Sequence, residues 1–292
     1  MAERNTWTRP WRLTEGFLIG GGLVVAGLML QLSTGGIDWD LFAFPANAIV
    51  LMVFVLLVVA AAMLCGRVYA FRFLCSLQAA IPALVYAVVL TIVMGVTRQT
   101  VNGQWLHNML SFWPFVLIYV YIAVIVGMVS ARRLMHVRRW RDIPFLLNHL
   151  GLFVVLLCAT LGNADLQRMK MICSTDKTEW RAVDQQGNLR ELPIAIELKR
   201  FIMETYDDGS PRRFASEIQI LTQTGKNIHA TVDVNKPVRV DGWNIYQYGY
   251  DTAKGSMSRI SIFELVSDPW LPAVYAGIVM MMLGAVCMFF KL

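Results

Sequence analysis

The chain has 292 residues, of which 57% are apolar and 16% are charged, and its mean hydropathy is +0.53. Soluble globular domains are about half apolar and about a quarter charged, so this composition argues against a soluble enzyme, a disordered regulator or a collagen-like protein. The formal net charge is +6. The positions of the basic residues decide whether this excess indicates nucleic-acid binding or membrane orientation.

Six stretches without charged side chains approach or exceed the ~20 residues that a helix needs to cross a bilayer. They are Gly16–Leu32, Leu41–Leu64, Phe73–Thr97, Leu110–Ala131, Ile143–Ala164 and Pro269–Phe290. A helix satisfies its own backbone hydrogen bonds inside lipid. We therefore predict six transmembrane helices.

A polar region, residues 165–268, separates the fifth stretch from the sixth and carries 14 Lys and Arg against 15 Asp and Glu. Its apolar residues alternate with a period of two, which is typical of strands with one buried face. The clearest runs are Ile194–Leu198, Ile218–Ile220, Ile228–Val234 and Trp243–Tyr250. Turn dipeptides such as Asp241-Gly242 separate the runs. The region is predicted to be an all-β domain.

The predicted fold class is therefore a membrane protein, an α-helical bundle of six transmembrane helices with an inserted all-β extracytoplasmic domain. A five-helix membrane region covers residues 1–164 and the β-rich domain covers 165–268. The final transmembrane helix and a short cytoplasmic tail cover 269–292. Cys173 is the one cysteine of the β-rich region, and either a buried inert thiol or a reactive thiol fits the sequence.

The basic residues outside the β-rich region predict the topology. If the chain crosses the membrane at each apolar stretch, eleven of them lie on one face: Arg4, Arg9, Arg12, Arg67, Arg72, Arg132, Arg133, Arg138, Arg139, Arg141 and Lys291. The short loops of the opposite face contain Arg98 with Asp38 and Asp40. The positive-inside rule then places both termini in the cytoplasm and the β domain outside it. The charge excess orients helices and predicts no nucleic-acid partner.

His149 is the histidine that lies deepest in a predicted span. It is six residues into Ile143–Ala164, about 9 Å along the helix from the predicted cytoplasmic end. A neutral imidazole at that depth is a suitable ligand for haem iron. A histidine hydrogen-bonded to a neighbouring helix, through Asn148 for example, fits the residues equally. His107, at the outer end of the fourth span, is a weaker haem candidate.

Five motifs in a fixed order resemble the ResB/CcsB family of system II cytochrome c biogenesis. They are Phe145–Gly151, Val234–Pro237, Gly242–Gln247, Tyr250–Asp251 and Val266–Pro269. Trp7–Trp11 and Phe42–Pro45 are similar to the version of the family that has extra leading helices. The resemblance covers nearly the whole chain.

The resemblance implies a haem conduit in a bacterial cytoplasmic (inner) membrane, which delivers haem to the extracytoplasmic side for attachment to apocytochrome c. It implies that haem b in transit is bound jointly by His149 and by a second histidine from a CcsA-type partner. Apocytochrome c is the implied soluble partner, and Trp243, Tyr246, Tyr248 and Tyr250 are its candidate contacts. Core packing explains this aromatic group equally well.

No residue is predicted to be catalytic, and the chain is expected to be a non-catalytic or accessory half of a cytochrome c haem lyase. The family also occurs as one fused chain, and both arrangements stay open. A scaffold or docking subunit of a redox complex that binds no haem also fits the sequence. A b-type cytochrome subunit or a transporter fits less well, because the four histidines are scattered and few residues break the helices.

Overall fold

The computed structural model describes residues 7–100, 103–137 and 142–290. The chain divides into two compact units. One combines Met1–Ala164 with Trp270–Leu292, and the other is Asp165–Pro269. The described part of the first unit is helical, and the second is built from strands.

Six helices of the first unit are long and apolar enough to cross a membrane, which confirms the prediction of six such segments. The α-helices are α1 Leu13–Thr34, α2 Ala46–Met63, α3 Tyr69–Leu74, α4 Leu77–Val96, α5 Trp113–Met135, α6 Ile143–Gly162 and α7 Leu271–Phe289. The short α3 was not predicted. The apolar stretch Phe73–Thr97 is interrupted at Ser76, which is extended (φ −114°, ψ 157°), and hydropathy carries no signal of that break.

Helix α5 is the most enclosed helix of this unit, and polar side chains attach α6 to its neighbours. The Tyr119 hydroxyl of α5 donates to the Leu156 carbonyl of α6 over 2.8 Å and accepts from the Thr160 hydroxyl over 2.8 Å. The Asn47 side-chain amide of α2 donates to the Leu161 carbonyl over 3.2 Å. Two helices, α2 and α5, therefore help to set the position of α6.

Helices α6 and α7 pack against each other through glycines. A Cβ atom on Gly151 would lie 2.6 Å from the Gly277 carbonyl oxygen, and one on Gly277 would lie 2.8 Å from the Gly151 carbonyl oxygen. A Cβ atom on Gly284 would lie 2.5 Å from the Asn148 amide nitrogen Nδ2. Small residues allow helix backbones to approach closely in membranes, and these three provide that approach.

Apart from Arg98, which lies beside His107, the described basic residues of the helical unit gather at one end of the helices. The Arg9 and Arg72 guanidinium groups lie 4.6 and 5.3 Å from the centre of the Tyr69 ring. Cys75, just before α4, and Arg132, at the end of α5, line a common cavity. These segments were predicted to share one face. Five basic residues of that prediction lie outside the described residues: Arg4, Arg138, Arg139, Arg141 and Lys291.

The second unit is an eight-stranded antiparallel sheet, which confirms the prediction of an all-β region. Its strands are β1 Gln167–Ser174, β2 Thr178–Val183, β3 Leu189–Thr205, β4 Pro211–Thr222, β5 Asn227–Asp233, β6 Val238–Val240, β7 Trp243–Tyr250 and β8 Ile260–Ser267. Their order across the sheet is β5-β4-β3-β2-β1-β8-β7-β6. The first and last strands are hydrogen-bonded neighbours, from the pair Gln167–Ser267 to the pair Ser174–Ile260.

The alternating residues form the core of the sheet. Ile194, Ile196 and Leu198 of β3 are at most 1% exposed, as are Ile218 and Ile220 of β4. The predicted turn Asp241-Gly242 joins β6 to β7 with φ of 45° and 86°. Positive φ at both central residues is the type I′ geometry that two-residue hairpins favour.

Cys173 is fully buried in this core, which confirms the burial that the inert-thiol interpretation requires. Burial raises the pKa of its thiol to about 12, and the nearby Glu179 carboxylate adds to the rise. Since the thiolate is the nucleophile, we expect Cys173 to resist iodoacetamide in the folded protein and to react in denaturant. Peptide-resolved mass spectrometry of labelled protein measures this, and rapid native labelling would contradict it.

Phe263, also fully buried in the same core, provides the corresponding stability test. We expect Phe263→Ala to destabilise the β unit by about 3–5 kcal/mol, because it removes buried apolar area and leaves a cavity. The same labelling measurement then reports faster reaction of Cys173. Met257→Ala is the control, since Met257 is 79% exposed and its replacement is expected to leave the labelling rate unchanged.

Asp241 connects the two ends of the sheet. Its carboxylate accepts from the Lys226 ammonium and, over 2.9 Å, from the Thr224 hydroxyl. These donors belong to the turn between β4 and β5, whereas Asp241 lies in the turn between β6 and β7. The Lys226 hydrogen bond, followed by that of Thr224, lowers the pKa of Asp241.

The lowered pKa predicts a pH dependence. A carboxyl whose pKa is lower in the folded state stabilises that state above its ordinary pKa, and the contribution is lost as pH falls through the lowered value. We expect Asp241→Asn to destabilise the β unit at pH 7, and the difference from wild type to vanish in acid below the ordinary aspartate range. Denaturant unfolding of both proteins across pH measures this. A constant difference at all pH values would contradict it.

Candidate functional site

His149 lies near the start of α6, and its hydrogen bond determines its tautomer. The ring nitrogen Nδ1 is 3.0 Å from the Phe145 carbonyl oxygen of the preceding turn. A carbonyl only accepts, so Nδ1 carries a proton, and in the neutral ring this leaves the lone pair on Nε2. A neutral imidazole with its lone pair on Nε2 is a form in which histidine binds metals.

The surroundings of His149 hold the ring in one orientation. The imidazole stacks on the Phe145 ring, with 3.9 Å between centroids and 21° between planes. The side chain is half-buried. A backbone hydrogen bond to Nδ1, with no hydrogen bond to Nε2 among the described residues, suits an axial haem ligand. The residues present fit that group.

Asn148 does not provide the predicted alternative partner for His149. Its amide donates to the Pro144 carbonyl over 3.0 Å and to the Met288 sulfur over 3.4 Å, while His149 bonds within its own helix. Asn148 therefore connects α6 to α7. This contact and the glycine packing hold the segment of α6 that carries His149 against α7.

The weaker candidate, His107, is at the other end of the helices. It lies in a 3-10 turn (Trp105–His107) before α5, is exposed, and its Nδ1 is 3.0 Å from the Arg98 carbonyl. Helix α5 runs about 35 Å from that end to the end where α6 begins. One haem cannot be bound by His107 and His149 together.

A cavity of about 560 Å³ lies where α5 ends and α6 begins. Its lining consists of Cys75, Val129, Arg132, Arg133, His136, Asp142 and Phe145. Phe145 thus faces this cavity and also stacks on His149. The Arg133 guanidinium lies 5.4 Å from the centre of the Phe145 ring and pairs with Asp142. In the sequence these arginines are recognisable only as topology signals. Their position in the lining of a cavity beside His149 was not predicted.

The four aromatic residues proposed for partner contact have different environments. Trp243 is 6% exposed and belongs to the core of the sheet. Tyr250 stacks on Phe201 with 5.0 Å between centroids. Tyr248 is 52% exposed, with the Lys170 ammonium 3.8 Å from its ring centre, and Tyr246 is half-buried. Only Tyr248 of this group presents a broad surface for a partner.

Residues 126–263 match the model of the ResB-like family. The predicted resemblance to ResB/CcsB is confirmed. This ResB-like region contains His149, most of the residues that line the cavity, and the β unit up to Phe263 of β8.

Two curated relatives show how far the ResB-like similarity extends. The cytochrome c biogenesis protein CcsB of Prochlorococcus marinus subsp. pastoris is 29% identical over 123 residues, which cover 41% of this chain and 28% of the relative. The cytochrome c biogenesis protein Ccs1 of Porphyra purpurea is 27% identical over 107 residues, which cover 35% of this chain and 24% of the relative. The matched segments span about a quarter of each relative.

A solved structure, that of cytochrome c heme lyase CcmF, aligns with 96% of this chain and 46% of its own. The sequence identity is 12% and the TM-score is 0.39. A shared fold does not follow from this likeness.

Proposed function

We propose that this chain handles haem in cytochrome c maturation, as a multi-pass membrane protein of the ResB/CcsB type. Haem is the transported substrate. His149 binds its iron axially at the end of α6, and a CcsA-type partner chain supplies the second histidine. The complex then passes haem to the extracytoplasmic side, where it is attached to apocytochrome c.

The geometry of His149 carries this proposal. Its Nδ1 proton is engaged by the Phe145 carbonyl, so the neutral ring would present the lone pair of Nε2 from an oriented imidazole. Bound iron would gain an imidazole ligand without first having to displace a proton from Nε2. The names of the two relatives, both cytochrome c biogenesis proteins, support the pathway.

The expected sidedness follows from the basic end of the helices. The positive-inside rule assigns the end with Arg9, Arg72 and Arg132 to the cytoplasm. His149 then lies about 9 Å into the membrane from the cytoplasmic side. In this arrangement the β unit is extracytoplasmic, and Tyr248 with its Lys170 neighbour is its proposed contact for apocytochrome c.

The direct test is purification of the chain together with a co-expressed CcsA-type partner, followed by absorption spectroscopy. We expect the wild-type pair to contain haem with the reduced spectrum of a b-type, bis-imidazole site. A pair that purifies as a stable complex without haem, and still supports cytochrome c maturation, would favour the scaffold alternative.

A further inference from the structure

The cavity between α5 and α6 is positively charged. Arg132, Arg133 and His136 line it, and Asp142 is the one carboxylate among its lining residues. Asp142 pairs with Arg133. Within the described ranges, Arg132 has no carboxylate partner. The cavity therefore contains an arginine whose charge is available to an anionic ligand.

The cavity is adjacent to the iron ligand. Phe145 is a lining residue, and its ring also stacks on the imidazole of His149 with 3.9 Å between the ring centroids. Phe145 and His149 are four residues apart, so the cavity begins about 6 Å along the helix axis from the ligand, toward the basic end. A flat apolar ring thus lies between the charged lining and the metal-binding nitrogen.

Its size and lining match one class of ligand. About 560 Å³ is within the range of pockets for small organic molecules, which combine apolar walls with a few polar groups. Val129 and Phe145 supply the apolar wall, and the guanidinium groups supply paired donors suited to carboxylates. A haem has both features, an apolar macrocycle and two carboxylates on one edge.

We propose that this cavity is a carboxylate subsite, in which Arg132 and His136 bind the propionates of a porphyrin whose iron is held by His149. The inference rests on the proposed haem function and adds to it the residues that select the propionate edge. Arg133 is a positioning residue there, because its guanidinium contacts the Phe145 ring and Asp142.

The test compares porphyrins that differ only in their carboxylates, using the full chain with its CcsA-type partner. Haem and haem dimethyl ester are titrated into the haem-stripped pair and binding is followed by Soret absorption. We expect Arg132→Gln to weaken haem binding about tenfold or more, the loss typical of a hydrogen bond to a charged group, and to leave the ester unaffected. Arg72→Gln, at the same end of the helices, is the matched control and should change neither affinity.

Binding of metal-free protoporphyrin IX tests the carboxylate subsite separately from the iron ligand of the proposed function. It retains both carboxylates but has no iron, so Arg132→Gln should weaken its binding while His149→Ala should not. If His149→Ala also leaves haem affinity unchanged while the Arg132 effect persists, His149 is not the iron ligand: that part of the proposed function is overturned and the carboxylate subsite stands.

Two results would overturn the subsite itself. One is an equal effect of Arg132→Gln on haem and its ester. The other result has two parts: the complex retains an anionic phospholipid only when Arg132 is present, and the wild type binds haem and its ester equally. That result would show that the cavity binds lipid phosphate.

Discussion

Replacing His149 with alanine is expected to lower the haem content of the purified complex on the order of 100-fold, and to abolish cytochrome c maturation. The substitution removes the ligand nitrogen, and even the loss of groups that only support a metal ligand costs 10–100-fold in affinity. The Phe145 carbonyl and ring stay in place, so the vacated volume can accept a small base. We expect added imidazole to restore part of the haem spectrum. Haem per protein is measured as the pyridine haemochrome.

His107→Ala and His229→Ala are the controls for this prediction. Both histidines are exposed, one in the turn before α5 and one on β5. We expect both variants to retain haem. Loss of haem from His107→Ala with retention in His149→Ala would reverse the assignment of the ligand.

The second large effect is expected at the glycine contact between α6 and α7. Gly151→Ala places a Cβ atom 2.6 Å from the Gly277 carbonyl oxygen, and backbone cannot move aside as a flexible side chain can. The helices must separate, at a cost of about 1–3 kcal/mol. We expect a lower melting temperature in detergent, measured by the reaction of a thiol dye with Cys158, which is buried on α6.

The reciprocal variant and a matched control sharpen this test. Gly277→Ala should have a similar effect, and the double variant should cost less than the sum, because the first substitution already separates the helices. Gly22→Ala on α1 adds a Cβ atom with nothing within 4 Å, and alanine favours helix, so its melting temperature should be unchanged or higher. Additive losses would indicate that the two glycines act independently.

The helices and strands could be predicted because their signals are periodic or continuous. The run Ile143–Ala164 became α6 within two residues, and the alternation at Ile194–Leu198 became the centre of β3. The break at Ser76 could not be predicted, because apolar residues continue across it. The order of the strands, with β1 between β2 and β8, is set by tertiary packing and has no local sequence signal.

The candidate site could be predicted only in part. A histidine within an apolar span was visible in the sequence, but its tautomer depends on the Phe145 carbonyl and its orientation on ring stacking. The cavity required Cys75 and Arg132, which are 57 positions apart, to meet at one end of the bundle. The alternating pattern places Trp243 on the buried face of its strand, and the structure confirms this. The proposal that Trp243 contacts a partner came from its aromatic side chain alone. Only Tyr248 has the exposure for that role.

The pairing of β1 with β8 changes the entropy of closing the α6–α7 contact. More than a hundred residues separate the two helices in sequence, but the first and last strands are adjacent, about 5 Å apart. Once the sheet has formed, the effective loop between the helices is a few residues long. Loop-closure entropy falls by about 0.6 kcal/mol for each halving of loop length, so the folded sheet lowers the cost of closing the helix pair by about 2 kcal/mol. Although the insertion between α6 and α7 is long in sequence, once folded it costs about as much loop-closure entropy as a short loop would.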